Sequence, residues 1–377
     1  MENGILKTKI LRKITEVPPE EWNSVFPEVL ESYQFFKTLD ESNFEQFSFY
    51  YILVYDHNAL VGAAPCFLMH YPLDTTVGGP LKSICNAIKR IFPNLFDLKA
   101  VICGLPMGQG RIGVRGESKR VVQAISECMK QIAKKEKTNI VAFKDFGVAY
   151  TDSLNFLSGH GFSRFENLPS TDMEIRFNDF DSYLKTLSRA SRDGLKRKLK
   201  KTTGLVKIDL EISDNLNGSL QEVYELYLQT VSKAETQFEM LPIEFFDRIS
   251  QNMSAKIKYF MWRIDQKLVA FALCLVSNDH FIDYYLGFDY SVAFDYHLYF
   301  IRFRDLLKWC IEHKMKTYEM GPTTYEPKRR LGFDFIPLYL YVKHLNRWID
   351  PLFKLLCHIL KPENFHPVFK EMSDRKQ

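Results

Sequence analysis

The chain has 377 residues, with 50 Lys and Arg against 46 Asp and Glu, a formal charge of +4. At roughly 100–200 residues per domain, that length predicts two domains or three. Hydrophobic residues at 46% and charged residues at 25% exclude a disordered or fibrous chain, and the small net charge gives no argument for nucleic acid by itself.

Seven cysteines, at positions 66, 85, 103, 128, 274, 310 and 357, form no C-x-x-C pair. Reduced core thiols are expected, rather than a disulfide framework or a zinc site. The N-terminal residues carry no apolar signal core, and no stretch reaches the roughly 18 apolar residues that span a bilayer. The expectation is a soluble, cytoplasmic protein that holds no metal and does not bind DNA.

In chain order, residues 50–66 read as strand, tight turn and strand, with Asp56 entering the turn. Residues 71–97 read as an insertion with an amphipathic piece, Leu81 to Ile91. A strand over Leu98 to Leu105 leads into a Gly-rich loop, residues 104–116. Ser118 to Lys135 has helical spacing, with Val121, Val122, Ile125, Met129 and Ile132 on one face. A strand (Asn139 to Phe143), a short helix (Thr151 to Ser158) and a last strand after Gly161-Phe162 follow. Tyr183 to Lys201 reads as one basic helical stretch with Leu184, Leu187, Leu195 and Leu199 as its buried stripe. Gly194 weakens it by about 1 kcal/mol. Residues 259–274 form a second hairpin pattern, turning at Asp265. Then come a strand (His280 to Gly287), a helix (Tyr296 to His313), a strand (Lys316 to Met320), a turn, Gly332-Phe333 and a strand (Ile336 to Val342). Arg347 to Leu360 is an amphipathic helix, expected to dock on the body or to lie against a membrane surface.

The order hairpin, strand, loop, long helix, strand, short helix, Gly-Phe, strand occurs twice. The sequence therefore predicts an α/β (α+β) protein of two tandem copies, each a mixed central sheet flanked by helices. The domains are expected at 1–175 and 176–345, the second opened by the basic helix, with a tail at 346–377.

This order resembles the acetyltransferase fold of the GNAT superfamily, and its duplication is similar to the FemAB-type peptidyltransferases and FemAB-like/CelD-type acyltransferases. Three segments carry the resemblance: Ser188 to Lys201, similar to the Ser/Arg-rich helix opening the second FemAB-type domain; Trp309 to Gly321; and Tyr325 to Phe333, which resembles a Lys-x-x-x-Gly-Phe ending through Lys328, Gly332 and Phe333. The resemblance implies a transferase whose donor lies between the fourth and fifth strands of a unit, here His280 to Gly287 and Lys316 to Met320.

Acyl transfer to an amine needs a base and donors for the oxyanion. Near the implied cleft, Glu319 and Asp283 are base candidates, and Tyr285 and Tyr325 are candidate donors to the oxyanion or leaving group. Lys328 offers a positive charge, or belongs to a solvated helix face with Arg329 and Arg330. Gly108, Gly110, Arg111 and Gly113 are candidate phosphate or diphosphate contacts, or parts of a long turn needing glycine. The loop does not match the GNAT Gln/Arg-x-x-Gly-x-Gly/Ala spelling. Arg192 and Arg197 on the basic helix are candidate contacts to a phosphorylated ligand, to the phosphates of an aminoacyl-tRNA, or part of a solvated face.

Three functions follow. The first is N-acylation of an amine-bearing small molecule or cell-envelope precursor by acetyl-CoA or another acyl-CoA. The second is FemAB-type peptidyl transfer from aminoacyl-tRNA. The third is non-catalytic binding on the same fold. H-E-x-x-H, Walker A and G-x-S-x-G patterns are absent from the sequence.

Overall fold

The computed structural model describes residues 6–26, 30, 32–72, 97–233, 238–322, 324–364 and 367–368. It holds two units: Met1–Leu168 with Thr236–Met240 and Pro337–Gln377, and Pro169–Glu235 with Leu241–Ile336.

In the first unit, β1 (Lys7–Leu11) precedes α1 (Pro19–Val25) and α2 (Tyr33–Glu41). The hairpin of β2 (Phe47–Asp56) and β3 (Ala59–Pro72) turns over two residues, His57 and Asn58. Its strands are nearly unbroken apolar runs because both faces are covered. Tyr50, Ile52 and Val54 face one side, and Tyr51 meets Trp22 and Phe36 at ring distances of 5.6 and 5.8 Å. β4 (Asp97–Cys103) continues the sheet, and the short β5 (Gly113–Val114) pairs with β3. α3 (Ser118–Lys135) covers the face of Tyr50, with its five expected apolar residues all buried. Each contributes roughly 1.5–3 kcal/mol relative to exposure. β6 (Ile140–Gly147) runs parallel to β4. α4 (Thr151–Leu154) and α5 (Phe156–Gly159) lead to β7 (Ser163–Glu174). The amphipathic piece expected at Leu81 to Ile91 lies outside the described residues.

The second unit starts with α6 (Phe180–Thr186) and α7 (Arg189–Leu205). A single basic helix was the expectation; the structure breaks it at Leu187-Ser188. Leu187 is extended at ψ 150°, and the Ser188 hydroxyl accepts from the Ser191 amide at 3.2 Å, capping the second helix. The leucine stripe survives the break, with Leu184, Leu187 and Leu195 buried and Leu199 packed beside them. β8 (Asp209–Ser213), α8 (Leu220–Lys233) and α9 (Ile243–Met253) follow. β9 (Ile257–Ile264) and β10 (Lys267–Val276) join through Asp265 and Gln266, both at positive φ. β11 (His280–Phe288), α10 (Leu298–Glu312), β12 (Thr317–Glu319), α11 (Tyr325–Arg330) and β13 (Asp334–His344) complete the order. The last helix, α12 (Asp350–Leu360), returns to the first unit.

The repeat is plain in these elements. Each copy reads strand, two helices, hairpin, strand, long helix, strand, short helix, strand. Gly161 and Gly332 stand at equivalent turns with φ of 89° and 85°, each followed by a buried Phe. The units nevertheless do not follow chain order. From Pro169 onward β7, the last strand of the first copy, belongs to the second unit and pairs with β12. From Pro337 onward β13, the last strand of the second copy, belongs to the first unit and pairs with β6. A cut at 175 and 345 therefore parts β7 from β12 and β13 from β6.

Candidate active site

In the second unit, β11 and β12 are parallel and pair only over His280↔Thr317, Phe281↔Tyr318 and Ile282↔Glu319. β12 ends there, and β11 runs on to Phe288. The two strands part at Glu319, in the gap expected from the sequence. Just beyond, Cys274 of β10 opposes Asp283 while Leu273 opposes Tyr285, so Tyr284 is an extra residue and β11 bulges. Bulges re-aim side chains, and here Asp283 and Tyr285 face opposite sides of the sheet.

Glu319 is 4% exposed and sits among polar side chains from three strands. The Ser170 hydroxyl donates to its Oε1 at 2.9 Å, and His280 Nε2 lies 3.3 Å from its Oε2. Asp172 is its partner across the β7–β12 ladder. Strand alternation explains the cluster. Ser170 and Asp172 share one face of β7, Glu319 ends the same face of β12, and His280 lies on that face of β11, while Met173, Tyr318 and Phe281 fill the core behind. Burial, and then the adjacent Glu319 charge, pushes the Asp172 carboxyl up to about 7, with the His280 charge opposing. Its buried Oδ1 has no hydrogen-bond partner. His280 keeps 31% of its side chain exposed and so links the buried Glu319 to solvent. The result is a pair of adjacent carboxyl groups that hold fewer than two charges at neutral pH, one fixed by two donors and the other placed to carry a proton.

The other candidates of this unit are distributed differently. Asp283 is committed elsewhere: it forms a fully buried ion pair with Arg302, and Tyr318 donates to its Oδ2 at 3.1 Å on the face behind the cluster. A carboxylate so enclosed holds the α10 helix to the sheet and is not exposed as a base. Tyr285 faces the helices α8 and α9, its ring 6.0 Å from Tyr227 and 6.3 Å from Phe245. The Tyr325 hydroxyl donates to the Pro169 carbonyl at 2.9 Å. Lys328 is 4% exposed, and its ammonium donates to the carbonyls of Met320, Gly321 and Pro322 at 2.8, 3.0 and 3.2 Å. Burial pulls it down to about 7, while three carbonyl acceptors and the Asp283 charge favour the ammonium. Lys328 and Tyr325 thus fasten the loop that leaves Glu319, with Thr171 adding a bond to the Gly321 carbonyl at 2.8 Å. The solvated helix face is made by Arg329 and Arg330, both paired with Glu326.

The Gly-rich loop lies in the first unit, and its backbone is spent on packing. The Gly110 amide donates to the Asp145 carbonyl at 2.8 Å, and a Cβ there would stand 2.1 Å from the Lys144 carbonyl oxygen. Gly113 is a strand residue paired with Ala63, and a Cβ on it would meet the Val25 carbonyl oxygen at 2.6 Å. Gly108 is exposed at φ 87°, and Arg111 is partly buried in the same loop. β5 intervenes before α3, whose N-cap position holds Glu117, a carboxylate that repels phosphate. These residues do not fit a coenzyme diphosphate cradle. On α7, Arg197 is exposed and Arg192 partly so. That helix covers the face of the sheet opposite Glu319, since Leu195 packs with Phe281 and Tyr318 in one core.

The sequence singled out Glu319 as a candidate but not Ser170, Asp172 or His280, which the structure brings around it. The alternation Ser170-x-Asp172 beside apolar Met173 was a usable signal. Its pairing with β12 was not, because the bonded Ser170 and Glu319 stand 149 positions apart. Among the described residues, no group of three or more His, Cys, Asp or Glu is arranged to hold a metal ion.

Comparison with known proteins places the family and the fold. A family model, FemAB-like, described as peptidoglycan biosynthesis/recognition, matches residues 13–354. A solved structure of FemX is 15% identical, with 92% of this chain and 99% of that one covered at a TM-score of 0.57. A tandem GNAT protein from the clavulanic acid biosynthesis pathway is 8% identical, with 91% and 99% covered at a TM-score of 0.55. L-PGS from Bacillus licheniformis is 11% identical, with 92% and 97% covered at 0.52. No curated protein matches the sequence. Two GNAT-like repeats and a match across nearly the whole length make this chain a member of the FemAB-like family, a transferase on the tandem GNAT-type fold.

Proposed function

We propose that this protein transfers an aminoacyl group from aminoacyl-tRNA to a free amine on a peptidoglycan precursor, with the chemistry in the second unit at Glu319. The observation that carries the reading is the carboxyl pair of Glu319 and Asp172 where β11 and β12 part. Family membership supports the cell-wall acceptor. The acceptor nitrogen attacks the ester carbonyl, and Glu319 takes its proton, held in line by Ser170 and His280. A C–N bond forms, the ester bond between the carbonyl carbon and the ribose oxygen breaks, and Asp172 supplies the proton that the leaving ribose oxygen needs. Glu319 returns one proton to Asp172, directly or through solvent at His280, so the cycle closes. Arg192 and Arg197, on the opposite face, suit phosphates of the tRNA body rather than the reacting ester. The donor confines the reaction to the cytoplasm, where the six free cysteines of the described residues stay reduced.

Acyl-CoA-dependent N-acylation remains the second reading, favoured by the parted strands of a GNAT-like unit and opposed by the filled Gly-rich loop. One experiment separates them. Labelled aminoacyl-tRNA or acyl-CoA is supplied with peptidoglycan precursors, and transfer to the amine is counted. Transfer from aminoacyl-tRNA, reduced about 10²–10⁴-fold in Glu319→Gln with the fold intact, is expected. Transfer from acyl-CoA alone, or unchanged turnover in Glu319→Gln, overturns the donor or the site respectively.

A further inference from the structure

In the first unit, α12 is apolar on two opposite sides. Phe353 is buried in a core cluster and Cys357 packs beside it. On the other side Trp348, Leu352, Leu355 and Ile359 are 78%, 64%, 56% and 45% exposed. Leu352, Leu355 and Ile359 recur at intervals of three and four, which places them on one face of the helix, and Trp348 lies in the turn just before it. A helix apolar all round belongs in a core or against another apolar phase. The segment is basic. Asp350 is the sole acid from Lys343 to Lys361, which carries Lys343, Arg347, Lys354 and Lys361, with the Lys343 ammonium donating to the His160 carbonyl at 2.6 Å. Asp350 is itself paired with Lys354 at 2.6 Å. The Arg347 guanidinium stands 4.7 Å from the Trp348 ring centroid.

We propose that this face of α12 docks the protein on an anionic membrane surface, with the helix lying in the headgroup plane. Leucine and isoleucine side chains enter the acyl boundary, Trp348 sits at the interface, and Arg347 and Lys361 meet lipid phosphates. Among the described residues no helix is long and apolar enough to cross a membrane, so the contact is peripheral. A second copy of the chain fits the face less well. A two-fold contact would press the same basic flank against itself, whereas an anionic surface neutralises it.

The test uses the full chain with vesicles of phosphatidylcholine alone or with one quarter phosphatidylglycerol. Trp22, Trp262 and Trp309 are buried, so a blue shift of emission on mixing reports Trp348. Co-sedimentation with the anionic vesicles and a blue shift are expected, both weakened by salt. The double variant Leu352→Asp, Leu355→Asp should lower binding at least about tenfold. Its melting temperature should be unchanged, because both side chains are exposed. Trp348→Phe should keep binding and lose the blue shift, which separates docking from unfolding. Equal binding by the double variant, absence of binding to anionic vesicles, or a dimer that the double variant dissociates would each overturn the proposal.

Discussion

Asp172, partly buried, and Lys328, buried, are two ionisable groups with opposite lessons. The Asp172 carboxyl is raised by burial, so the folded chain keeps a proton that the unfolded chain has released between about pH 4 and 7. Its contribution to stability is full below that window and is lost as pH rises through it. Asp172→Asn should remove roughly 1–3 kcal/mol of this decline, read as the difference in urea unfolding free energy between pH 5 and pH 8. In activity the same proton is needed, so wild-type turnover should fall above about pH 7. Lys328 acts through its three carbonyl partners. Lys328→Met would leave buried carbonyls unsatisfied and should cost about 1–3 kcal/mol by thermal unfolding. A loss of turnover with no loss of stability would make Lys328 a catalytic group instead. Glu319 was singled out in the sequence by its place in a strand beside the implied cleft, and Lys328 by the Lys-x-x-x-Gly-Phe resemblance, but the burial of Lys328 under three carbonyls was not legible. Asp172 was not singled out, because strand alternation shows which side chains share a face without showing which strand lies beside them.

At the scale of elements, patterning carried most of the reading. α3 was legible to its ends, since its apolar residues repeat at helical spacing and its neighbours are polar. The basic segment was misjudged because Leu184 to Leu199 keeps a helical period through a break that one serine cap imposes. The Gly-rich loop stayed open between two readings for a different reason. Glycines chosen to let backbones approach look the same as glycines chosen to hold phosphate. Gly110→Ala distinguishes the two. A methyl group 2.1 Å from the Lys144 carbonyl oxygen should destabilise the first unit by about 1–3 kcal/mol or more. A variant of native melting temperature with weakened donor binding would restore the phosphate reading.

For the whole molecule, the exchange of final strands gives each unit a strand from the other copy, and makes the first unit depend on both ends of the chain. Without Pro337–Gln377, β6 loses its antiparallel partner, and Tyr339 and Tyr341 leave the core around α3. Residues 1–175 expressed alone should therefore aggregate or lack a cooperative unfolding transition, as an exposed β6 edge predicts. Supplying residues 337–377 in trans should improve solubility. A monomeric 1–175 fragment that unfolds cooperatively would show that the exchanged strand is dispensable.

The sequence by itself determined the two repeats, the hairpins and the long helices, and offered Glu319 as a candidate, because local periodicity and turn chemistry are written in neighbouring residues. Only the tertiary structure decided which strands complete which sheet, that Asp283 is locked to Arg302, and that Ser170, Asp172 and His280 surround Glu319. Those outcomes depend on pairings between segments far apart in the chain, where burial and register, not local pattern, select the partner.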